Sequence, residues 1–138
     1  MHFLSLNMEI HLKITGSLFI LLALMHPIFP YYFKWKTELA ALSLINRQMM
    51  YVHTFFLALI ILLMGLLCLV SSHDLIYTEL GKTICIGFGV FWSIRFLFQF
   101  FVYSSKLWKG KTFETLIHIV FSFAWLYFSY VFFNIALN

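Results

Sequence analysis

Four long apolar stretches alternate with short polar segments along the chain. The apolar stretches cover residues 14–33, 49–70, 84–103 and 113–137. Each is long enough to cross the hydrocarbon core of a bilayer as a helix, which takes about 20 residues. The pattern therefore predicts an all-α integral membrane protein. We expect a four-helix bundle with antiparallel up-down topology, short loops and a single four-span domain over residues 1–138.

The composition favours the same class. Of the 138 residues, 63% are hydrophobic, 21% are aromatic and only 10% are charged. One small soluble core cannot bury that much apolar surface, so a soluble monomer is excluded. The first apolar stretch is too long for the core of a signal peptide and lacks a small-residue cleavage site, so we interpret it as a retained helix.

The basic residues predict the orientation of the chain. The segments after the first and third apolar stretches contain most of them, namely Lys34, Lys36, Arg47, Lys106, Lys109 and Lys111. The terminal side contains only Lys13 and Lys82. Because basic loops stay in the cytoplasm, both termini are predicted to face outward, in what we expect to be a bacterial inner (plasma) membrane.

The net charge of +4 does not indicate a nucleic-acid partner. The basic residues adjoin Tyr and Trp at the expected bilayer boundaries, where topology and anionic headgroups account for them. The expected partners are therefore the lipid bilayer and either another membrane protein or further copies of this chain.

The segment before the second stretch has helical spacing of its own. Leu39, Leu42 and Ile45 recur every three residues after Thr37, which is a candidate N-cap. The segment is either a short interfacial helix or an extension of the second span.

Small and polar residues share one side of the third and fourth stretches. In the third they are Gly81, Cys85, Gly89, Trp92, Ser93, Arg95 and Gln99. In the fourth they are Glu114, His118, Ser122, Trp125 and Ser129. Small residues allow membrane helices to approach closely, so these sides are predicted to face the bundle interior. The opposite side of the third stretch, with Val90, Ile94, Leu97 and Phe101, should face lipid.

The first two stretches each contain one histidine. His26 shares a stripe with Thr15 and Phe19 and is predicted to face inward, just before Pro27 and Pro30, which should bend the helix. In the second stretch His53 lies about 100° from the small and polar stripe, so we place it at a seam between helices.

Six polar side chains fall at a similar predicted depth in the cytoplasmic leaflet. They are His26, His53, Arg95, Gln99, Glu114 and His118. Ionisable residues inside a membrane are costly and mark functional sites. Arg95 lies about 12 Å inside its end of the span at 1.5 Å per residue, so it needs a partner, either Glu114 or a bound anion.

Three kinds of chemistry fit these residues. A b-type haem would take His26 and His118 as axial ligands, with His53 as the substitute and Arg95 near the propionates. A non-haem iron or zinc centre would use His26, His53, His118 and Glu114 for redox, lipid or quinone chemistry. A metal-free site would use Glu114 and His118 for acid–base work, with Arg95, beside Gln99, holding an anionic or carbonyl oxygen.

The alternative to a site is an accessory role. A small four-helix subunit that stabilises or assembles a larger membrane complex needs its polar network only for helix packing. The chain has no P-loop, dinucleotide-binding fingerprint, His-Glu-x-x-His motif or Gly-x-Ser-x-Gly motif. Cys68 and Cys85 lie near the predicted outer face, where packing is favoured over a disulfide.

Overall fold

A computed structural model describes residues 2–138, with side chains from Asn7 onward. The structure is 87% helix, without strands in the described part. Four helices are long and apolar enough to cross a membrane: Asn7–Tyr32, Leu44–Val70, Glu79–Phe101 and Thr112–Leu137. The all-helical class and the four apolar helices are confirmed, whereas antiparallel topology and membrane insertion stay predictions.

Seven α-helices and two 3₁₀ turns make up the described chain. The α-helices are α1 (His2–Met25), α2 (Phe29–Tyr32), α3 (Trp35–Glu38), α4 (Leu44–Val70), α5 (Ser72–Tyr77), α6 (Glu79–Phe101) and α7 (Thr112–Leu137). The 3₁₀ turns are His26–Ile28 and Ser105–Leu107. Two compact units result, one of Met1–His11 with His73–Asn138 and one of Leu12–Ser72. The single domain over 1–138 stays a prediction.

The two prolines interrupt the first long helix as predicted. α1 ends at Met25, the 3₁₀ turn His26–Ile28 follows, and α2 resumes at Phe29. Proline has no backbone N–H and its ring crowds the carbonyl four residues earlier, so regular α-helical bonding cannot continue through Pro27 and Pro30.

The segment before α4 matches its predicted helical spacing only in part, because Leu39 and Leu42 lie between α3 and α4 and Ile45 lies in α4. Lys34 has a left-handed backbone (φ 51°) and precedes the single helical turn α3. The hydroxyl of Thr37 donates to the Lys34 carbonyl, so the predicted N-cap role of Thr37 is wrong. α4 then begins at Leu44, which extends the second helix five residues before the predicted start of its span.

In the unit Leu12–Ser72, α1 and α4 approach most closely at two glycines. A Cβ atom on Gly16 would lie 2.8 Å from the carbonyl oxygen of Gly65, and a Cβ on Gly65 equally close to that of Gly16. Only glycine allows backbones this near to each other. The buried residues of α4 lie in its second half, at Ile61, Met64, Gly65 and Cys68.

In the other unit, α6 and α7 pack against each other along the predicted faces. Gly81, Cys85, Gly89, Trp92 and Gln99 of α6 are buried, and so are Ser122, Trp125 and Ser129 of α7. The four residues of the predicted lipid side of α6 are 45–83% exposed, namely Val90, Ile94, Leu97 and Phe101. The ring of Phe133 fills the space beside Gly89, where a Cβ would lie 2.9 Å from it. The inward and outward faces of α6 are therefore as predicted.

Candidate polar site on α6 and α7

Arg95 lies on the side of α6 that was predicted to face inward, and its side chain extends toward the C-terminal end of that helix. Its Nη1 donates to Oε1 of Gln99 at 3.2 Å. Its guanidinium carbon lies 5.0 Å from the ring centre of Trp125 and 5.4 Å from that of Tyr103. Gln99 and Tyr103 follow Arg95 by four and eight residues, so the side chain runs toward the 102–111 loop. This direction is the one expected for an arginine that snorkels toward a membrane boundary.

Gln99 joins both helices through its amide. Besides the bond from Arg95, Oε1 accepts a hydrogen bond from Nε1 of Trp125 at 3.4 Å, and Nε2 lies 2.8 Å from Nδ1 of His118. Guanidinium and indole nitrogens only donate, which fixes the amide oxygen toward Arg95 and Trp125. The amide nitrogen must then donate to His118, so Nδ1 of His118 is the acceptor and its proton lies on Nε2.

Trp108 covers one face of the His118 ring. The two rings are parallel, 3.9 Å apart between centres with an interplanar angle of 10°. The hydroxyl of Thr115 donates to the Trp108 carbonyl at 2.7 Å, which attaches the loop to α7. Phe100 meets His118 edge-on at 5.4 Å. We call Arg95, Gln99, Tyr103, Trp108, His118 and Trp125 the α6–α7 cluster.

Aromatic stacking extends this cluster toward the middle of both helices. Trp125 stacks on Trp92 with ring centres 5.0 Å apart and on Phe121 at 5.3 Å. These rings line one side of the half-buried Arg95–Gln99 bond and strengthen it, because electrostatic interactions grow as the local dielectric falls.

Glu114 is not drawn into the cluster. It is exposed in the first turn of α7, and within the described residues it forms no ion pair with Arg95. A carboxylate is stabilised at this position by the helix dipole, and the arginine has amide and aromatic partners instead. The expected Arg95–Glu114 pair is therefore replaced by the Arg95–Gln99 bond.

The two remaining histidines belong to the unit Leu12–Ser72. His26 is buried, with Nδ1 2.7 Å from the carbonyl of Leu22. A carbonyl only accepts, so Nδ1 of His26 donates this hydrogen bond. His53 is exposed on α4, so its predicted place at a helix seam is wrong.

No group of three or more His, Cys, Asp or Glu side chains that could hold a metal ion occurs among the described residues. His26 has the tautomer that metal-ligating histidines adopt. His118 has the opposite one, and ligation through Nε2 would require its Gln99 partner to turn over and lose Arg95 and Trp125. The haem, iron and zinc interpretations stay predictions. Cys68 and Cys85 are free, buried thiols.

The sequence missed the role of Trp108. Trp108 lies in a loop, so it has no helical spacing from which a partner could be predicted. The loop reaches back over His118 through a turn in which Gly110 has a positive φ of 81°. Two residue types in the sequence are consistent with this return of the loop. Gly110 allows the positive φ, and the hydroxyl of Thr115 can bind the Trp108 carbonyl.

Comparisons with protein-family models, with curated proteins and with solved structures find no match for this chain.

Proposed function

We propose that the chain is an integral membrane protein whose α6–α7 cluster binds the anionic headgroup of a membrane lipid. The observation that carries this proposal is the state of Arg95. A guanidinium has five N–H donors, and within the described residues one of them is used, by Gln99. The others need acceptors inside a helix that is apolar enough to cross a membrane.

Phosphate is the acceptor best suited to this site. The planar fork of an arginine binds phosphate or carboxylate oxygens through two parallel hydrogen bonds. The Nε2–H of His118 supplies a further donor. Exposed Lys106, Lys109 and Lys111 follow in the next loop, where basic residues attract anionic headgroups to the membrane surface.

The proposed setting is a bacterial inner membrane, with the 34–48 and 104–112 segments in the cytoplasm and both termini outside. Its supports are the four long apolar helices, their many exposed aliphatic and aromatic side chains, and the basic residues of those two segments. In a chain whose Cys68 and Cys85 are replaced by Ala, we expect Lys109→Cys to react with an impermeant maleimide from the cytoplasmic side alone. Labelling from the outer side would reverse the orientation.

Lipid retention tests the headgroup proposal directly. The protein is placed in nanodiscs of phosphatidylcholine with phosphatidylglycerol, and the retained lipids are identified by native mass spectrometry. We expect the wild type to retain phosphatidylglycerol preferentially. Arg95→Gln should weaken this preference about tenfold, the effect of a charged hydrogen bond worth roughly 1.5 kcal/mol, whereas Arg95→Lys should weaken it less.

Arg47→Gln is the matched control, because Arg47 is an arginine near the start of α4, outside the cluster. Equal losses in Arg95→Gln and Arg47→Gln would mean that general surface charge attracts the lipid. A folded Arg95→Gln protein with unchanged lipid retention would refute the site. The accessory role, in which the cluster only joins α6 to α7, would then be favoured.

A further inference from the structure

A second polar region lies at the other end of α7. A cleft of about 230 Å³ opens between the N-terminal half of α1 and the last turns of α7, within one compact unit. It is lined by Asn7, Met8, His11, Tyr130, Val131, Asn134 and Ile135. Asn134 follows His118 by 16 residues, about 24 Å along the helix at 1.5 Å per residue. The cleft is therefore separate from the α6–α7 cluster.

The cleft has an apolar floor and a polar rim. Val131 and Ile135 are 3% and 2% exposed and form the floor. Asn7, His11 and Tyr130 are exposed at the rim. None of the described lining residues is Asp, Glu, Lys or Arg. Among them a charged ligand would therefore meet no permanently charged side chain.

The polar side chains that line the cleft differ in whether they already have a hydrogen-bond partner. Nδ1 of His11 lies 2.9 Å from the hydroxyl of Tyr127, and the two rings meet edge-on, which fixes the imidazole. The side chains of Asn7, Tyr130 and Asn134 form no hydrogen bond to the described residues. Two amides and a phenol are thus open, and each can both donate and accept.

We propose that this cleft binds the uncharged, hydroxyl-rich headgroup of a membrane lipid, such as a single sugar. Hydroxyl groups also donate and accept together, so they match the amides and the phenol of the rim. The apolar floor suits the C–H face of a sugar ring and the first carbons of the lipid. The cleft is smaller than the roughly 300–1,000 Å³ pockets of drug-sized ligands, which limits the headgroup to one ring.

This inference depends on the proposed membrane insertion but not on Arg95. For that reason its failure is distinguishable from failure of the anionic site. Arg95→Gln should leave binding at the cleft unchanged, and substitutions in the cleft should leave the phosphatidylglycerol preference unchanged.

The test uses phosphatidylcholine nanodiscs that contain monoglucosyl diacylglycerol, with saturation-transfer NMR from the protein to the sugar protons. We expect transfer in the wild type. Tyr130→Phe, which removes only a hydroxyl, and Asn134→Leu should each weaken binding roughly three- to tenfold, the range for one neutral hydrogen bond. Asn46→Leu, an exposed asparagine of α4, is the control.

Three outcomes would overturn the proposal. Absence of transfer to the glucolipid would mean that only water occupies the rim. Transfer that survives in both Tyr130→Phe and Asn134→Leu would place the sugar elsewhere. Methyl glucoside that competes at the same concentration as the glucolipid would identify a site for free sugars. If Asn134→Leu fails to fold, Tyr130→Phe decides, because it retains the ring.

Discussion

His118 and His53 have the same side chain and similar predicted depth, yet their surroundings differ. His118 lies between α6 and α7, with Gln99 on Nδ1 and Trp108 on its face. His53 lies on the exposed first half of α4. The difference shows that residue type and depth do not make a site. A neighbouring helix must bring a complementary side chain, and α6 does this for His118. Trp35 of α3 meets Tyr51 in the first half of α4, but no hydrogen bond or ring contact among the described residues reaches His53.

The largest expected effect comes from a substitution that disrupts the contact between α6 and α7. Gly89→Leu places a side chain where the Phe133 ring lies 2.9 Å from the would-be Cβ. Either the Phe133 ring turns away or the two helices separate, and we expect a loss of up to about 3 kcal/mol of stability, at the upper end for overpacking. Thermal unfolding in detergent, followed by tryptophan fluorescence, measures it.

Gly87→Leu is its control on the same helix, since a Cβ on Gly87 meets nothing within 4 Å. We expect no loss there and a gain of up to about 1 kcal/mol from helix propensity. A Gly87 variant as unstable as the Gly89 variant would show that Phe133 packing is not the cause.

The amide of Gln99 distinguishes the two regions chemically. Gln99→Leu keeps the side-chain volume but leaves Arg95, Trp125 and His118 without their shared partner. We expect a loss of about 2 kcal/mol of unfolding free energy, within the range for unsatisfied buried polar groups. Gln48→Leu, on the exposed part of α4, should change it by less than about 0.5 kcal/mol. Similar losses in the two variants would refute the bridging role of Gln99.

The smallest effect concerns one proton. Imidazole ¹⁵N NMR should show His118 as a single neutral tautomer protonated at Nε2, and Gln99→Leu should abolish that preference. His53 should show no fixed tautomer. The opposite tautomer in His118 would instead favour metal ligation.

An oxidised and dithionite-reduced optical spectrum of the same sample, with a Soret band lost in His26→Ala, would establish the haem interpretation.

The sequence predicted the helical fold because its signals are long and periodic. The small-residue stripe of α6 identified Gly81, Cys85 and Gly89 as buried, since four-residue spacing stays on one helix face. It also placed Gln99 and His118 on inward faces. The helix ends differ from the ends of the predicted spans. α4 begins at Leu44 and α6 at Glu79, because polar residues continue a helix beyond its apolar part.

The sequence does not reveal which side chains contact each other within the α6–α7 cluster. Trp108 reaches His118 only through the turn at Gly110, and loop conformation leaves no periodic signal. Arg95 bonds to Gln99, one turn away on the same helix, whereas Glu114 is exposed in the first turn of α7. No pattern in the sequence links His11 to Tyr127, because their contact joins residues 116 positions apart.

The hydroxyl groups of the two buried serines of α7 are satisfied by their own helix. Ser122 donates to the carbonyl of His118 and Ser129 to that of Trp125, each four residues earlier. A serine bonded in this way exposes little polarity to its surroundings, and such bonds often bend a helix. These two serines therefore add little polarity beside the Trp125 stack, and hydropathy scales, which count every serine as polar, overstate the cost of placing this helix in a membrane.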